Sequence, residues 1–241
     1  MALLEVDRVS KTFGGVQANA DVSFDVAEGE ILGLIGPNGA GKTSLFNAIS
    51  GEVSPDRGEV RLAGQRISGR GPVFCARAGI ARTFQVVRSF DSMTVEENVL
   101  VGAFSRLPRA RDARAEAARV LAFAGLAHRA DTQAVSLSPP EKRRLEVARA
   151  LACRPRVLLL DEMLTGLTPT EAQGGVALIR AVRDGGVTVL MVEHVMEVLL
   201  PLVDRAVVLN LGRVLTEGRP AAVVRHPEVI RAYLGDRYAA A

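Results

Sequence analysis

Gly36-Pro37-Asn38-Gly39-Ala40-Gly41-Lys42-Thr43 has a glycine, four free positions, then Gly-Lys-Thr, the spacing of a phosphate-binding loop. Its glycines let the backbone curl so that N–H groups point inward, and a helix starting there adds partial positive charge. Lys42 can then reach the β- and γ-phosphates, and the Thr43 hydroxyl can ligate Mg²⁺. Farther along, Val157-Leu158-Leu159-Leu160-Asp161-Glu162 is an apolar run ending in two carboxylates. Asp161 can hold Mg²⁺, directly or through water, and Glu162 can orient or deprotonate an attacking water. Alone this run is weak evidence; paired with Gly36–Thr43 in one chain it is strong. A third apolar run, Val187 to Val192, delivers Glu193 and His194. His194 is either a satisfied core histidine or a group acting beside phosphate at a strand end. Phe13 is either a turn anchor or a flat surface for a nucleotide base. Together these residues predict that the chain binds a nucleoside triphosphate.

The elements that must position them follow from periodicity and turn residues. Glu30 to Ile35 predicts a buried strand, the phosphate loop follows, and Lys42 to Ser50 predicts a helix. Ahead of them, Leu3–Val9 and Val22–Val26 predict antiparallel edge strands around a turn at Lys11–Ala20, which contains Gly14-Gly15. Glu59–Leu62 and Gly64–Ile67 predict a hairpin, and Ile80–Phe84 a short buried strand ending at Gln85. Between Val95 and Ala152 the character is helical, at Leu100–Ser105, Ala113–Gly125 and Glu141–Cys153. These helices are either a subdomain inserted between core strands or a cover for the sheet. After the strands that bear Asp161 and His194, with a helix at Gly174–Asp184 between them, Ala206–Asn210 and Arg213–Glu217 predict a last hairpin. Short helices broken at Pro227 complete Pro220–Leu234. The pattern is α/β, a mostly parallel core with an antiparallel edge.

Bulk properties exclude several classes. In 241 residues, 48% are apolar and 24% charged, an ordinary globular balance with ample material for a core. A net charge of +3, no tryptophan and two tyrosines argue against a nucleic-acid partner. Cys75 and Cys153 are too few and too far apart for a disulfide framework or zinc site, which predicts a reduced, cytosolic compartment. The first twelve residues meet charges too early for a signal peptide. No apolar run reaches the ~18 residues needed to span a membrane.

In this order the motifs resemble the ATP-binding subunit of ABC transporters, over essentially the whole chain. Gly36–Thr43 is similar to that family's Walker A loop and Leu158–Glu162 to Walker B with its following glutamate. Gln85, in Arg82-Thr83-Phe84-Gln85, is similar to the Q-loop glutamine, and His194 to the switch histidine. Leu137-Ser138, then Arg144 and Ala148–Leu151, match the frame of the signature helix, and Phe13 falls at the adenine-stacking aromatic. The resemblance implies a P-loop NTPase of ABC type, one domain over residues 1–241 with a helical subdomain at 86–155. It implies an ATP site of Phe13, Gly36, Pro37, Asn38, Gly39, Ala40, Gly41, Lys42, Thr43 and Ser44. Mg²⁺ would be held by Thr43, Asp161 and Gln85. Glu162, His194 and Gln85 would serve catalysis, and Ser138, Pro139, Pro140 and Glu141 would face a partner's nucleotide. Implied partners are a second ATPase subunit, integral membrane permeases and, indirectly, a solute-binding protein. The chain would lie peripherally on the cytoplasmic side of the membrane. The segment Val86–Val95, with Phe90 and Met93, is expected to help form a groove for a cytoplasmic helix of the permease.

Finer features look like the branched-chain amino-acid importer group: Phe13-Gly14-Gly15, Arg82–Gln85, Met93–Val99, Gly166–Glu171 and Ile230–Gly235. Importers of urea or other amino acids and lipopolysaccharide-export ATPases share much of this. A soluble or regulatory ATP-binding module with little turnover is the alternative of another class. Three positions depart from the family pattern. The signature, usually Leu-Ser-Gly-Gly-Gln, is Leu137-Ser138-Pro139-Pro140-Glu141. Met163 stands where proline is usual after the glutamate, and Thr168 replaces the Asp or Asn of the next loop. The lost glycines predict a heterodimer rather than a homodimer.

Overall fold

The structure, a computed structural model, describes residues 2–234; Gly235, part of the C-terminal resemblance, lies outside them. Strands β1 (Ala2–Phe13) and β2 (Val16–Ala27) precede β3 (Ile31–Ile35), which feeds the phosphate loop and helix α1 (Lys42–Ile49). Then come β4 (Arg57–Leu62), β5 (Gln65–Arg66), α2 (Pro72–Ala78) and β6 (Ile80–Arg82). Three helices follow, α3 (Val95–Phe104), α4 (Ala110–Phe123) and α5 (Pro139–Ala152). The core resumes with β7 (Val157–Asp161), α6 (Pro169–Asp184), β8 (Thr188–Val192) and α7 (Met196–Leu199). Strands β9 (Arg205–Asn210) and β10 (Arg213–Gly218) and helices α8 (Pro220–Val223) and α9 (Pro227–Leu234) complete the order.

Six strands form one sheet in the order β10-β9-β3-β8-β7-β6. Its neighbours pair in parallel except at the antiparallel β10–β9 edge. Strands β2-β1-β4-β5 form a second, antiparallel sheet rather than an extension of the first. Both faces of the parallel sheet are covered, which is why β3, β7 and β8 read as unbroken apolar runs and are buried at every position. Alternation along β3 sends Leu32 and Leu34 toward α1 and the antiparallel sheet, where Phe46, Leu45, Val22 and Val60 pack. Ile31 and Ile35 belong to the opposite core, shared with Val99, Val120, Leu145 and Ile179 of α3, α4, α5 and α6.

Several expected boundaries move. The Lys11–Ala20 turn contracts to Gly14-Gly15, because β1 and β2 pair as far as Phe13 and Val16. Exposed residues near a hairpin tip break the apolar alternation without breaking backbone pairing. Helices α3, α5 and α6 begin earlier than their apolar periodicity. Their first turns are set by polar caps and proline: Thr94 with Glu97, Pro139 and Pro140 at the first two positions, and Thr168 with Glu171 before Pro169. Helix α2 was not evident from periodicity; it is about two turns long, with Cys75 as its buried residue.

Candidate active site at the carboxyl ends of the parallel strands

The phosphate loop leaves β3, Gln85 follows β6, Asp161 ends β7 and His194 follows β8. Four adjacent or near-adjacent parallel strands therefore present these residues at one end of the sheet, where open α/β sheets hold ligands. A cleft of ≈ 920 Å³ there is lined by Phe13, Ala18, Asn38–Ser44, Gln85, Glu162, Val192 and His194. Phe13, 45% exposed, stands on one wall with Lys11 Nζ 5.4 Å from its ring centroid.

Loop shape is enforced by close backbone neighbours. A Cβ on Gly36 would lie 2.2 Å from the Leu209 carbonyl oxygen of β9, and one on Gly41 would lie 2.2 Å from that of Ala18. Both glycines also hold positive φ, 153° and 101°. The first helical bond of α1 runs from Leu45 N–H to Gly41 O at 3.0 Å, so the amides of Lys42, Thr43 and Ser44 precede the helical ladder. Lys42 is buried, and its Nζ donates to the Gly36 and Pro37 carbonyls at 2.6 and 2.9 Å. Burial pushes this ammonium below the usual lysine range, opposed by the charges of Glu162 and Asp161. The Ser44 hydroxyl is buried without a hydrogen-bond partner among the described residues. Asn19, fully buried, supports the loop from β2 by donating Nδ2 to Gly41 O at 3.1 Å.

Across the cleft, the Glu162 carboxylate is held from two strands. Gln85 Nε2 donates to Oε2 at 2.9 Å, and His194 Nε2 lies 2.6 Å from Oε1. Asp161 is farther in and takes no part in the cleft wall. Its Oδ2 accepts from Arg82 Nη2 at 2.9 Å, in an ion pair whose side chains are 6% and 8% exposed. The Arg82 Nη1 also donates to Asn47 Oδ1 at 2.6 Å, tying β6 to α1.

The signature residues Ser138, Pro139, Pro140 and Glu141 sit at the start of α5 and, among the described residues, do not line this cleft. Glu141 Oε2 accepts from Ser138 N and Oγ at 2.9 and 2.8 Å, and Oε1 from Arg129 Nε at 3.0 Å. The Ser138 N–H holds the Glu141 carboxyl below the usual range, helped by the Ser138 hydroxyl and Arg129. Beside the cleft, a second cavity of ≈ 480 Å³ has Phe84, Arg88, Phe90, Val101 and Arg149 among its walls. Phe90 is 45% exposed there.

Four contributors were not singled out from sequence. Asn19 and the Arg82–Asp161 pair are two. Arg143 of α5, which donates to the backbone carbonyls of Glu162 and Thr165, is another. The fourth is Glu193, buried, whose carboxylate accepts from Leu164 N and Thr165 Oγ1 at 2.5 and 3.2 Å. Only for Glu193 was there a sequence signal, a carboxylate directly after a buried strand. Helix α9 also carries Tyr233, whose phenol is pushed up to about 12 by burial, opposed by the Gly36 backbone.

A parallel sheet with a phosphate loop after one strand and a pair of carboxylates at the end of another defines a P-loop NTPase. Residues 20–165 match the ABC transporter family, and the chain belongs to that family as an ATP-binding, transport-coupled ATPase subunit. Residues 213–239 match the family described as "Branched-chain amino acid ATP-binding cassette transporter". The chain is 40% identical to the high-affinity branched-chain amino acid transport ATP-binding protein BraF of Pseudomonas aeruginosa, covering 97% of this chain and 98% of that protein. With LivG of Salmonella typhimurium, described in the same words, identity is 41% over 97% and 98%. A crystal structure of a nucleotide-free ATP-binding cassette from an ABC transporter superposes with a TM-score of 0.90 at 29% identity, covering 98% of this chain and all of that one. An ADP conformation of an ABC transporter cassette gives 0.89 at 30% identity, again over 98% and 100%.

Proposed function

We propose that this subunit hydrolyses ATP to energise import of branched-chain amino acids through separate membrane permeases. The observation that carries the chemistry is Glu162 suspended between Gln85 and His194 across the cleft from Lys42 and the loop amides. Lys42 and those amides neutralise the phosphates, and the unpartnered Ser44 hydroxyl adds a donor on the same helix turn. Phe13 stacks on the base. Glu162 has more acceptor positions than its two partners use, so it can still take a proton from water. His194 orients Glu162 and stabilises the γ-phosphate. Thr43 and Gln85 offer the hard oxygen donors that Mg²⁺ prefers, and the engaged carboxylate of Asp161 suits an outer-sphere role. When bound, Mg²⁺ neutralises charge developing on the transferred phosphoryl group.

The cargo reading rests on the near full-length likeness to BraF and LivG and the match at residues 213–239. No helix among the described residues is long and apolar enough to cross a membrane. By its likeness to those transport ATP-binding proteins, the subunit works as a peripheral component on the cytoplasmic face, with a solute-binding protein supplying the permeases. Residues 86–155 act as the helical subdomain of a single ATPase domain, and the cavity beside Phe90 receives the permease. The reading is tested by ATP-driven uptake of radiolabelled leucine into proteoliposomes holding the assembled transporter. Uptake is expected from the wild type and lost in Phe90→Asp, which keeps nucleotide affinity but fails to co-purify with the permease. Leucine-independent behaviour of the wild type rejects the cargo, and normal assembly of Phe90→Asp moves the docking site elsewhere.

A second ATPase subunit completes the reading. Pro139 and Pro140 have no N–H, and the Ser138 hydroxyl is already donated to Glu141, so this signature has few donors for a phosphate on an opposing chain. The carboxylate of Glu141 adds repulsion at the same helix end. A homodimer carries that defect twice; a heterodimer supplies this chain's loop with an intact signature. Losing a hydrogen bond to a charged group costs ~1.5–3 kcal/mol, one to two orders of magnitude in rate. Pro139→Gly with Pro140→Gly is therefore expected to raise ATP turnover of the assembled transporter. An ATP-dependent homodimer of the purified chain with full activity excludes the asymmetric arrangement.

A further inference from the structure

The Glu162 backbone sits at φ 51°, a left-handed conformation that a non-glycine residue keeps only when its surroundings over-determine it. Two elements hold it. Its N–H donates to Val192 O of β8 at 2.9 Å, and its carbonyl accepts from Arg143 Nη1 of α5. The other arm of the same guanidinium, Nη2, donates to Thr165 O at 2.6 Å, so one planar fork spans the turn that carries the carboxylate. From within, Glu193 closes that turn through Leu164 N and Thr165 Oγ1. Arg143 stands one helical turn beyond Pro139. Farther along α5, the buried Glu146 accepts from Arg88 N–H at 2.8 Å, just after Gln85. One helix thus grips the backbone behind Glu162 and the segment behind its partner Gln85, while Lys42 and its loop are held by β2 and β9.

We propose that Arg143 is a positioning residue for hydrolysis: it couples the placement of α5, and with it Ser138–Glu141, to the backbone that aims Glu162 into the cleft. This rests on the reading of Glu162 as the base. A shift of α5 is then felt at the water-activating carboxylate and not at the phosphate grip. Turnover can in this way answer to an opposing subunit that engages the start of α5 while ATP affinity does not.

The test is a double-mutant cycle on the assembled transporter. Steady-state ATPase kinetics and equilibrium affinity for a fluorescent ATP analogue are measured for Arg143→Met, Arg143→Lys, Glu162→Gln and the pair Arg143→Met with Glu162→Gln. Arg143→Met is expected to lower kcat roughly ten- to a hundredfold, the scale of an ångström-sized misplacement of a reacting group, with nucleotide affinity unchanged. Arg143→Lys, which keeps the charge but not the fork, falls between. In the Glu162→Gln background the Arg143→Met change costs nothing further, because the group it positions is already gone. An undiminished kcat in Arg143→Met, a parallel loss of nucleotide affinity, or the same fold-loss in both backgrounds overturns the proposal. Hydrogen exchange of amides 162–165 separates this result from failure of the base assignment. If Glu162→Gln keeps full turnover the base assignment falls. Exchange that is unaltered in Arg143→Met and Arg143→Lys then sinks the positioning role as well, and faster exchange confined to that turn upholds the grip.

Discussion

Glu162→Gln is expected to lower ATP turnover by ~10²–10⁴-fold, the usual contribution of a positioned general base, with nucleotide affinity unchanged. Glutamine keeps the size of the side chain and an oxygen that can accept from Gln85 or His194, so the cleft keeps its shape. It loses the charge and basicity that draw a proton from water. Binding is not weakened, because Glu162 supplies neither a donor nor a positive charge to hold the phosphates. Lys42→Ala makes the contrast: deleting a buried ammonium that faces phosphate in ground and transition states alike weakens binding itself. The two variants, compared by single-turnover hydrolysis and equilibrium nucleotide binding, must separate in this way. Full single-turnover rates in Glu162→Gln would take the base role away from this residue.

The second large effect is on stability. Arg82→Met removes the cation from an ion pair whose side chains are 8% and 6% exposed, leaving the buried Asp161 carboxylate without its hydrogen-bonding cation. Breaking a buried pair from one side costs ~3–5 kcal/mol, far above the value of a surface pair. Asn47 Oδ1 loses its donor in the same step, and the guanidinium contact over Phe46, 5.6 Å from its centroid, goes too. For a chain of this length each kcal/mol lowers Tm by ~2–4 °C, so a fall of roughly 6–20 °C is expected. Adding Asp161→Leu to Arg82→Met removes the orphaned charge and should recover part of that loss, which a thermal melt of the three proteins measures. A melting point within ~2 °C of wild type for Arg82→Met would show that water reaches Asp161 and that the pair behaves as an exposed one.

Much of the site was legible before any coordinates. Gly36–Thr43 is a contiguous stretch whose bonds are local: Gly41 O to Leu45 N–H, and Lys42 Nζ to Gly36 O and Pro37 O. Spacing along the chain therefore specifies it. The apolar runs before Asp161 and His194 had to be strands buried on both faces, because nothing else explains unbroken hydrophobicity of that length. Pro139 and Pro140 could begin a helix on backbone grounds alone, since the first helical positions have no partner for an N–H.

Residue types thus named Gln85, Glu162 and His194 singly, but their convergence needed the sheet order β8-β7-β6, which brings residues 77 and 32 positions apart within hydrogen-bond distance. No periodicity encodes which strand lies beside which. Choosing Arg82 for Asp161, or Arg143 for the Glu162 carbonyl, from 30 lysines and arginines was likewise beyond the sequence. A long flexible cation looks the same on a solvated face as in a core, and only the burial around it decides. Asn19 was hidden for the same reason: one amide on an edge strand becomes a loop support only because β2 crosses behind Gly41. The amino-acid sequence by itself determined the chemistry this chain can perform, because phosphate grip and water activation depend on local spacing and residue type. Tertiary structure alone decided how that chemistry is aimed, because the bonds holding Glu162 and Asp161 join segments far apart in the chain.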